Sequence, residues 1–333
     1  MVDERVSAVT ERPTPTASSV TRVAAIDCGT NSIRLLVADV APDGTLTEVD
    51  RQLRIVRLGQ GVDRTGELAP EALARTLEAS RDYATVIAEA GATRVRFVAT
   101  SATRDARNRR EFFDGVRAAV GVDAEVVSGR EEAELSFRGA TAGVAAQHPG
   151  PYLVVDLGGG STELVLGTTT PEAALSLDIG SVRMTERHLH SDPPAPAEVE
   201  AARVDVRAAL DDAARTVPFG RTTTLVGLAG SVTSVTAHAL GLTEYRRDAV
   251  HGAVLGVDRV LAACDDLLHR SREQRLALGF MHPGRADVIG AGALVWAEVV
   301  RRVRDDVAAA GGTLTDVVTS ESDILDGIAL SLV

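Results

Sequence analysis

Twice in this chain an apolar run ends on an aspartate, turns through small residues and returns as a second apolar run. The first instance is Val23 to Ile26, Asp27, the turn CGTNS and the run Ile33 to Val40. The second is Leu153 to Val155, Asp156, the turn LGGGST and the run Glu163 to Gly167. Apolar runs broken by Gly, Asn and Ser predict β-hairpins. The two aspartates, at positions 27 and 156, lie 129 residues apart. A solenoid repeats every ~20–50 residues, so the larger spacing implies duplication of a whole domain.

Between and after the hairpins, strand-like and helix-like segments alternate. A helical pattern opens at Pro70 and closes at Gly91, followed by the strand RVRFVAT, a helix near Arg109 to Val120 and the strand AEVVSG. The second half repeats the theme with a Pro-rich break at DPPAP, a helix from about Ala197 to Thr216 and the apolar strand TLVGLAG. Such alternation predicts α/β layers with part of each sheet parallel. Two similar domains would then face each other across a cleft.

Composition narrows the ligand. The formal net charge is −12 and aromatics are 3%. Neither a broad basic surface nor base-stacking platforms are available, which speaks against nucleic acid as a partner. Any anion must meet a local positive site, and every basic residue is Arg, the side chain suited to two-pronged phosphate contacts. Cys28 and Cys264 are the two cysteines, without metal-ligand spacing, which fits a reducing, cytoplasmic setting. The apolar stretch near Val288 to Val300 is interrupted by Glu298 and is too short for a bilayer core of about 30 Å. No membrane association is expected. Residues 1–20, rich in Thr, Ser, Pro and charge, read as a mobile tail.

The Gly-rich loop at 158–160 is neither GxGxxG nor GxxxxGK[ST], and it returns as a strand where a dinucleotide loop would open a helix. Its three glycines permit positive φ and close approach, so their N–H groups, with the Ser161 and Thr162 hydroxyls, can form an anion nest. The tip Thr30, Asn31, Ser32 is its twin, and the loop GLAGSV, with Gly230 and Ser231, could close around phosphate. Asp156 and Glu163 could face across the second hairpin's mouth. Paired carboxylates beside a phosphate nest suit Mg²⁺ or Mn²⁺, with Asp27 a weaker third ligand or merely a turn-capping group. Ser128 and Glu131 form a capping-box pattern, which leaves the adjacent Glu132 free to reach into the cleft as a general base. Arg104, in the loop ATSATRDA after a strand end, is the expected phosphate clamp.

Six ordered segments, AAIDCGTNSIRLLVADV, ATSATRDA, VVSGREEAELSFRGA, VVDLGGGSTELVLG, GLAGSVTS and MHPGRADVIGAGA, together resemble the exopolyphosphatase/guanosine pentaphosphate phosphatase (Ppx/GppA) family. The resemblance runs from Val23 to the C-terminus and is to short, two-domain members. It implies an actin-like fold of two ribonuclease-H-like domains: residues 21–132 with 316–333, and residues 133–315. It further implies Glu132 as catalytic base, Arg104 and residues 158–161 on phosphate, and Asp156 and Glu163 as the acidic residues beside them. The implied activity is removal of terminal phosphate from inorganic polyphosphate. Guanosine pentaphosphate is the alternative substrate. An ATP-dependent kinase of the same fold and a silent polyphosphate or alarmone sensor are the rival classes, and a homodimer is an expected assembly. One departure stands out: many relatives carry Arg in a segment like LREG, where this chain reads Leu325, Asp326, Gly327.

Overall fold

The computed structural model describes residues 20–333; the tail expected at 1–20 falls, but for Val20, outside the described residues. The first hairpin joins β1 (Thr21–Cys28) to β2 (Ser32–Val40), and β3 (Leu46–Ile55) continues the antiparallel run. There follow α1 (Val62–Thr65), α2 (Pro70–Ala90), β4 (Arg94–Ala99), α3 (Ser101–Asp105), α4 (Arg109–Val120) and β5 (Ala124–Val126). The sheet order is β3-β2-β1-β4-β5, with β4 parallel to both β1 and β5. α2 opens with Pro70 at its start and closes on Gly91 at φ 70, as its sequence dictates.

After α5 (Gly129–Val144) the chain builds a second sheet on the same plan. It contains β6 (Tyr152–Leu157), β7 (Thr162–Gly167), β8 (Pro171–Leu177), α6 (Ser181–His188), α7 (Pro196–Ala213) and β9 (Thr224–Leu228). Then come α8 (Ala229–Leu240), α9 (Arg247–Val250), β10 (Val254–Gly256), α10 (Val257–His269), α11 (Arg272–Leu276), α12 (Ile289–Ala309), β11 (Asp316–Thr319) and α13 (Ile324–Leu330). The order is β10-β11-β9-β6-β7-β8. Read from the other edge, β8-β7-β6-β9-β11 repeats the pairing senses of β3-β2-β1-β4-β5, and β10 is an added antiparallel edge. The return to the first domain, expected at residue 316, comes only after Thr319, because β11 pairs in parallel with β9. The boundary expected at residues 132 and 133 falls inside the first turn of α5.

β1 and β6 are buried on both faces, which is why they read as continuous apolar runs. Period-two alternation then decides which layer each residue meets. Ala24, Ile26 and Cys28 join the core under α2 and α4, while Val23 and Ala25 join Ile324, Leu325 and Ile328 of α13. In β6, Leu153, Val155 and Leu157 face the large core that holds Trp296 of α12, while Tyr152 and Val154 face Ala133, Phe137 and Ala140 of α5. The same parity directs Asp27 and Asp156 into the layer between the two sheets. There α5 and α13 cross almost in backbone contact: a Cβ on Gly139 would lie 1.9 Å from the Asp323 carbonyl oxygen, and one on Gly327 2.0 Å from that of Leu135. Gly327, the glycine that this chain keeps where it lacks the Arg of a segment like LREG, is thus a packing point that joins the two domains. Among the described residues no helix is long and apolar enough to cross a membrane.

Candidate active site

The two hairpin tips meet at the carboxyl ends of the parallel strands, where ligands of α/β sheets gather. Each tip is closed by the same bond, from Gly29 N–H to the Ser32 carbonyl and from Gly158 N–H to the Ser161 carbonyl, both 3.0 Å. The first tip is held from behind: the Asn31 carbonyl accepts from Val56 and Arg57 N–H at 3.0 and 2.9 Å, and the Thr30 carbonyl from Gly59 N–H at 2.9 Å. The second is held by the start of α6. Ser181 N–H donates to the Gly158 carbonyl at 3.0 Å, Val182 N–H to that of Gly159 at 2.8 Å, and Arg183 Nε to that of Gly160 at 2.7 Å. In a planar trans peptide, C=O and N–H point in opposite directions. The amides of Gly159, Gly160 and Ser161 are therefore turned away from α6.

The glycines serve close approach, not left-handed backbone. None of Gly158, Gly159 and Gly160 has positive φ, so the nest expected from αL geometry is absent, and the loop's own amides are oriented by the α6 clamp instead. A Cβ on Gly160 would lie 2.5 Å from both Thr30 Oγ1 and Ser101 Oγ, which are themselves hydrogen-bonded at 2.9 Å. The two loops are thus in contact across the cleft. Thr30, Asn31, Ser32, Gly158, Gly159 and Ser161 line it, whereas Gly160 is packed behind them. Asn31 Oδ1 is buried in this lining without a hydrogen-bond partner.

Four carboxylates line the same cleft, and all are buried: Asp27, Glu132, Asp156 and Glu163. Asp156 and Glu163 are direct cross-strand partners in the β6–β7 hairpin, so both side chains stand on one face, toward α5. Asp156 accepts from Ser136 Oγ at 2.6 Å and Glu163 from Ser176 Oγ at 2.7 Å. Burial first, then the Asp323 charge, raises the Asp156 carboxyl to about 6. Burial and then the charge of Asp156 raise Glu163 to about 8. The equivalent register position in the first hairpin pairs Asp27 with Arg34. Arg34 Nη2 lies 2.6 Å from Asp27 Oδ2, and Nη1 bonds Asp323. Burial works against the Arg34 charge, but Asp323, Asp27 and Asp156 more than offset it. Asp27 thus already has a cationic partner, which Asp156 and Glu163 lack.

That contrast bears on a metal. The unpartnered pair offers hard oxygen donors whose mutual repulsion a divalent cation would relieve. Among the described residues no three His, Cys, Asp or Glu form a ready-made cage. Mg²⁺ needs none, since it is usually held by one or two carboxylates with water and substrate phosphate.

Glu132 sits in the first turn of α5 and is pushed well above the ordinary carboxyl range by burial and then by the charge of Glu163, against the pull of Arg104. Only half of the capping box forms: Ser128 Oγ accepts from Glu131 N–H at 3.2 Å, but the Glu131 carboxylate turns outward to Arg96 at 2.8 Å. The neighbouring glutamates are therefore divided by helix geometry into one half-exposed and one buried in the cleft.

Arg104 departs from its expected setting. It stands in α3, not in a loop, and its Nη1 donates to Glu132 Oε2 and to the Val127 carbonyl, each at 3.1 Å. It lies behind the base and outside the cleft lining. GLAGSV is likewise no loop: α8 begins at Ala229, whose φ of 66 is rare for a residue with a side chain. Gly230 and Ser231 line the cleft from that first helical turn. Two arginines escaped the sequence reading. Arg34 and Arg285 both line the cleft, and a Cβ on Gly230 would strike the Arg285 guanidinium at 2.4 Å from Cζ. The signal for Arg34 was its place opposite Asp27 in the hairpin register; for Arg285 it was only membership of the segment MHPGRADVIGAGA. His188 is bonded to Asp205 at 2.9 Å, and His282 Nδ1 accepts from Gly284 N–H at 3.1 Å, both structural contacts.

The chain matches the model of the Ppx/GppA phosphatase family over residues 36–315. It is 54% identical over 323 residues to Exopolyphosphatase 2 of Mycobacterium tuberculosis, covering 94% of this chain and 99% of that protein. Among solved structures, an exopolyphosphatase-like protein superposes with a TM-score of 0.91 at 49% identity, covering 93% of this chain and 97% of the other. The Aquifex aeolicus PPX-GPPA enzyme gives 0.76 at 30% identity, with 94% and 100% covered. An exopolyphosphatase from Cytophaga hutchinsonii gives 0.79 at 26% identity, with 92% and 96% covered.

Proposed function

Since the chain belongs to the Ppx/GppA phosphatase family, we propose that it is an exopolyphosphatase that releases orthophosphate from the end of inorganic polyphosphate, with Glu132 as general base. The observation that carries the reading is Glu132 itself: a buried carboxylate lining a cleft with two hairpin tips from separate sheets.

The terminal phosphates would lie between the amides of residues 159–161 and the tip Thr30 to Ser32, with Gly230 and Ser231 facing them from α8. Asp156 and Glu163 would hold a divalent cation, Mg²⁺ or Mn²⁺, with Asp27 left to Arg34. Such a cation supplies neutralisation of the phosphate oxygens and of the carboxylate pair. Glu132 would take a proton from the attacking water at a carboxylate oxygen. Arg104 holds the other side of that carboxylate and keeps it aimed. Most of the rate then comes from positioning and charge stabilisation, as expected for phosphoryl transfer.

Polyphosphate is favoured over guanosine pentaphosphate because, among the described residues, no aromatic side chain lines the cleft itself on which a guanine could stack, Tyr245 lining the adjoining cavity instead. The test is phosphate release at one Mg²⁺ and salt concentration, across polyphosphates of several lengths, guanosine pentaphosphate and ATP. Polyphosphate should give the highest kcat/KM. A guanosine pentaphosphate value more than about tenfold above every polyphosphate would reverse the substrate choice. A phosphorylated acceptor formed from ATP would point to a kinase, and polyphosphate binding without release to a sensor.

A further inference from the structure

α6 does more than cap the phosphate loop. At positions i, i+3 and i+4 it presents Arg183, Glu186 and Arg187 on one face, and all three reach into the first domain. The Glu186 carboxylate accepts from Gly61 N–H at 3.0 Å. Arg187 chelates Asp63 at 2.7 and 2.9 Å. Arg183 makes the most connected contact: Nη1 bonds Asp63, Nη2 bonds Asp105 Oδ2 at 2.6 Å, and Nε donates to the Gly160 carbonyl at 2.7 Å. Its side chain is only 11% exposed, so water competes weakly for these partners.

Asp105 ends the five-residue helix α3, which begins at Ser101 against Thr30 and carries Arg104 on Glu132. One guanidinium thus ties three parts together: the last glycine of the phosphate loop, the short helix α1 that carries Asp63, and the short helix α3 that steadies the base. Two of these belong to the first domain and one to the second. Neither Asp63 nor Asp105 lines the cleft, and their tie to the phosphate loop runs through Arg183.

We propose that Arg183 is a positioning residue for phosphoryl transfer, coupling closure of the two domains to the shape of the phosphate loop. When Asp63 and Asp105 engage it, its Nε is held where it fixes the Gly160 carbonyl, and the Ser161 amide is turned into place. When the domains part, that grip is lost. The inference rests on the hydrolase reading, because it assigns the loop to phosphate.

The test uses the full chain and four variants: Asp63→Asn with Asp105→Asn, Arg183→Gln, Arg183→Lys, and the triple Asp63→Asn, Asp105→Asn, Arg183→Gln. Hydrogen exchange of the segment spanning 158–161 should speed up in the double Asp variant, although the altered residues lie in the other domain. In the same variant kcat/KM for polyphosphate should fall about 10- to 100-fold, the cost of a misplaced reacting group. Arg183→Lys keeps the charge but not the three-pronged fork and should recover less than about a tenth of the activity. The triple should be no worse than the double Asp variant by more than about twofold, because both lose the Asp63–Arg187 contact and both break the tie through Arg183. Unchanged loop exchange in the double Asp variant overturns the coupling, and faster exchange with unaltered kcat/KM overturns the positioning role. Should the parent chain release no phosphate from any polyphosphate, the function proposed above fails, while the exchange comparison still decides whether the coupling exists.

Discussion

Replacing Glu163 by Gln keeps the shape of a buried side chain and deletes its charge, so its effect on stability can be worked out from the structure. Without a cation, burial and the Asp156 charge raise the Glu163 carboxyl from 4.5 to about 8. The folded chain therefore holds a proton that the unfolded chain has already lost. Stability from this group is fully present below about pH 4.5 and is lost as pH rises through about 8. A gap of that size corresponds to about 5 kcal/mol at pH 9. Against it stands the bond from Ser176 Oγ, which Gln can still accept, but without the charge that makes it worth about 1–2 kcal/mol more. Glu163→Gln should thus be about 3–4 kcal/mol more stable than the parent at pH 9 and no more stable at pH 4. At about 1–2 °C per kcal/mol for a chain of this length, melting in the presence of a chelator should rise on the order of 5 °C at pH 9. Adding Mg²⁺ should raise the parent's melting temperature and leave the variant's nearly unmoved, since binding to the folded state stabilises by mass action. The more stable variant should also be nearly inactive. Melting curves of parent and variant that run parallel from pH 5 to 9 in chelator would refute the reasoning, because they would mean that Glu163 ionises as easily folded as unfolded.

Glu132→Gln should leave the fold intact and lower kcat by about two to four orders of magnitude, while Glu131→Gln, which loses only the exposed contact to Arg96, should change it little; equal losses in steady-state phosphate release would reverse the assignment. Gly159→Val should abolish turnover, since a Cβ there already meets Thr30 Cβ at 3.1 Å and a branched chain must push the tips apart; near-normal kinetics would show that the loops need not touch. Arg104→Lys should cost kcat more than KM, because the guanidinium bonds Glu132 and does not line the cleft, and a KM effect alone would make it a direct phosphate contact. Affinity for polyphosphate should fall with added salt, more steeply for longer chains as more phosphates are engaged, and a flat salt profile would mean that ionic contacts do not hold the polymer.

By itself the sequence determined the hairpins and the duplication, and it singled out acids that the fold brings to one cleft. An apolar run that stops at Asp27 or Asp156, turns on Gly and Ser and resumes is a local pattern, and strand parity assigns each aspartate to one face of its strand, while the meeting of those two faces in one layer is tertiary. Adjacent glutamates at 131 and 132 lie about 100° apart on a helix, so they meet different surroundings, and the packing of α5 buries Glu132. What the sequence could not supply were relations between segments far apart in the chain. Positive φ was a fair expectation for three successive glycines, yet Gly159 and Gly160 are small because Thr30, Asn31 and Ser101 crowd them, and crowding is a property of the assembled cleft. Arg34 reads as an ordinary strand residue until the hairpin register and the fold of α13 set it between Asp27 and Asp323. The domain boundary shifted for the same reason: β11 and α13 are separated by a few residues, and only pairing with β9 and packing on β1 send them to different sheets. Arg183 has no local signature at all, since its three partners come from three separate stretches of chain, and only folding brings them within reach of one guanidinium.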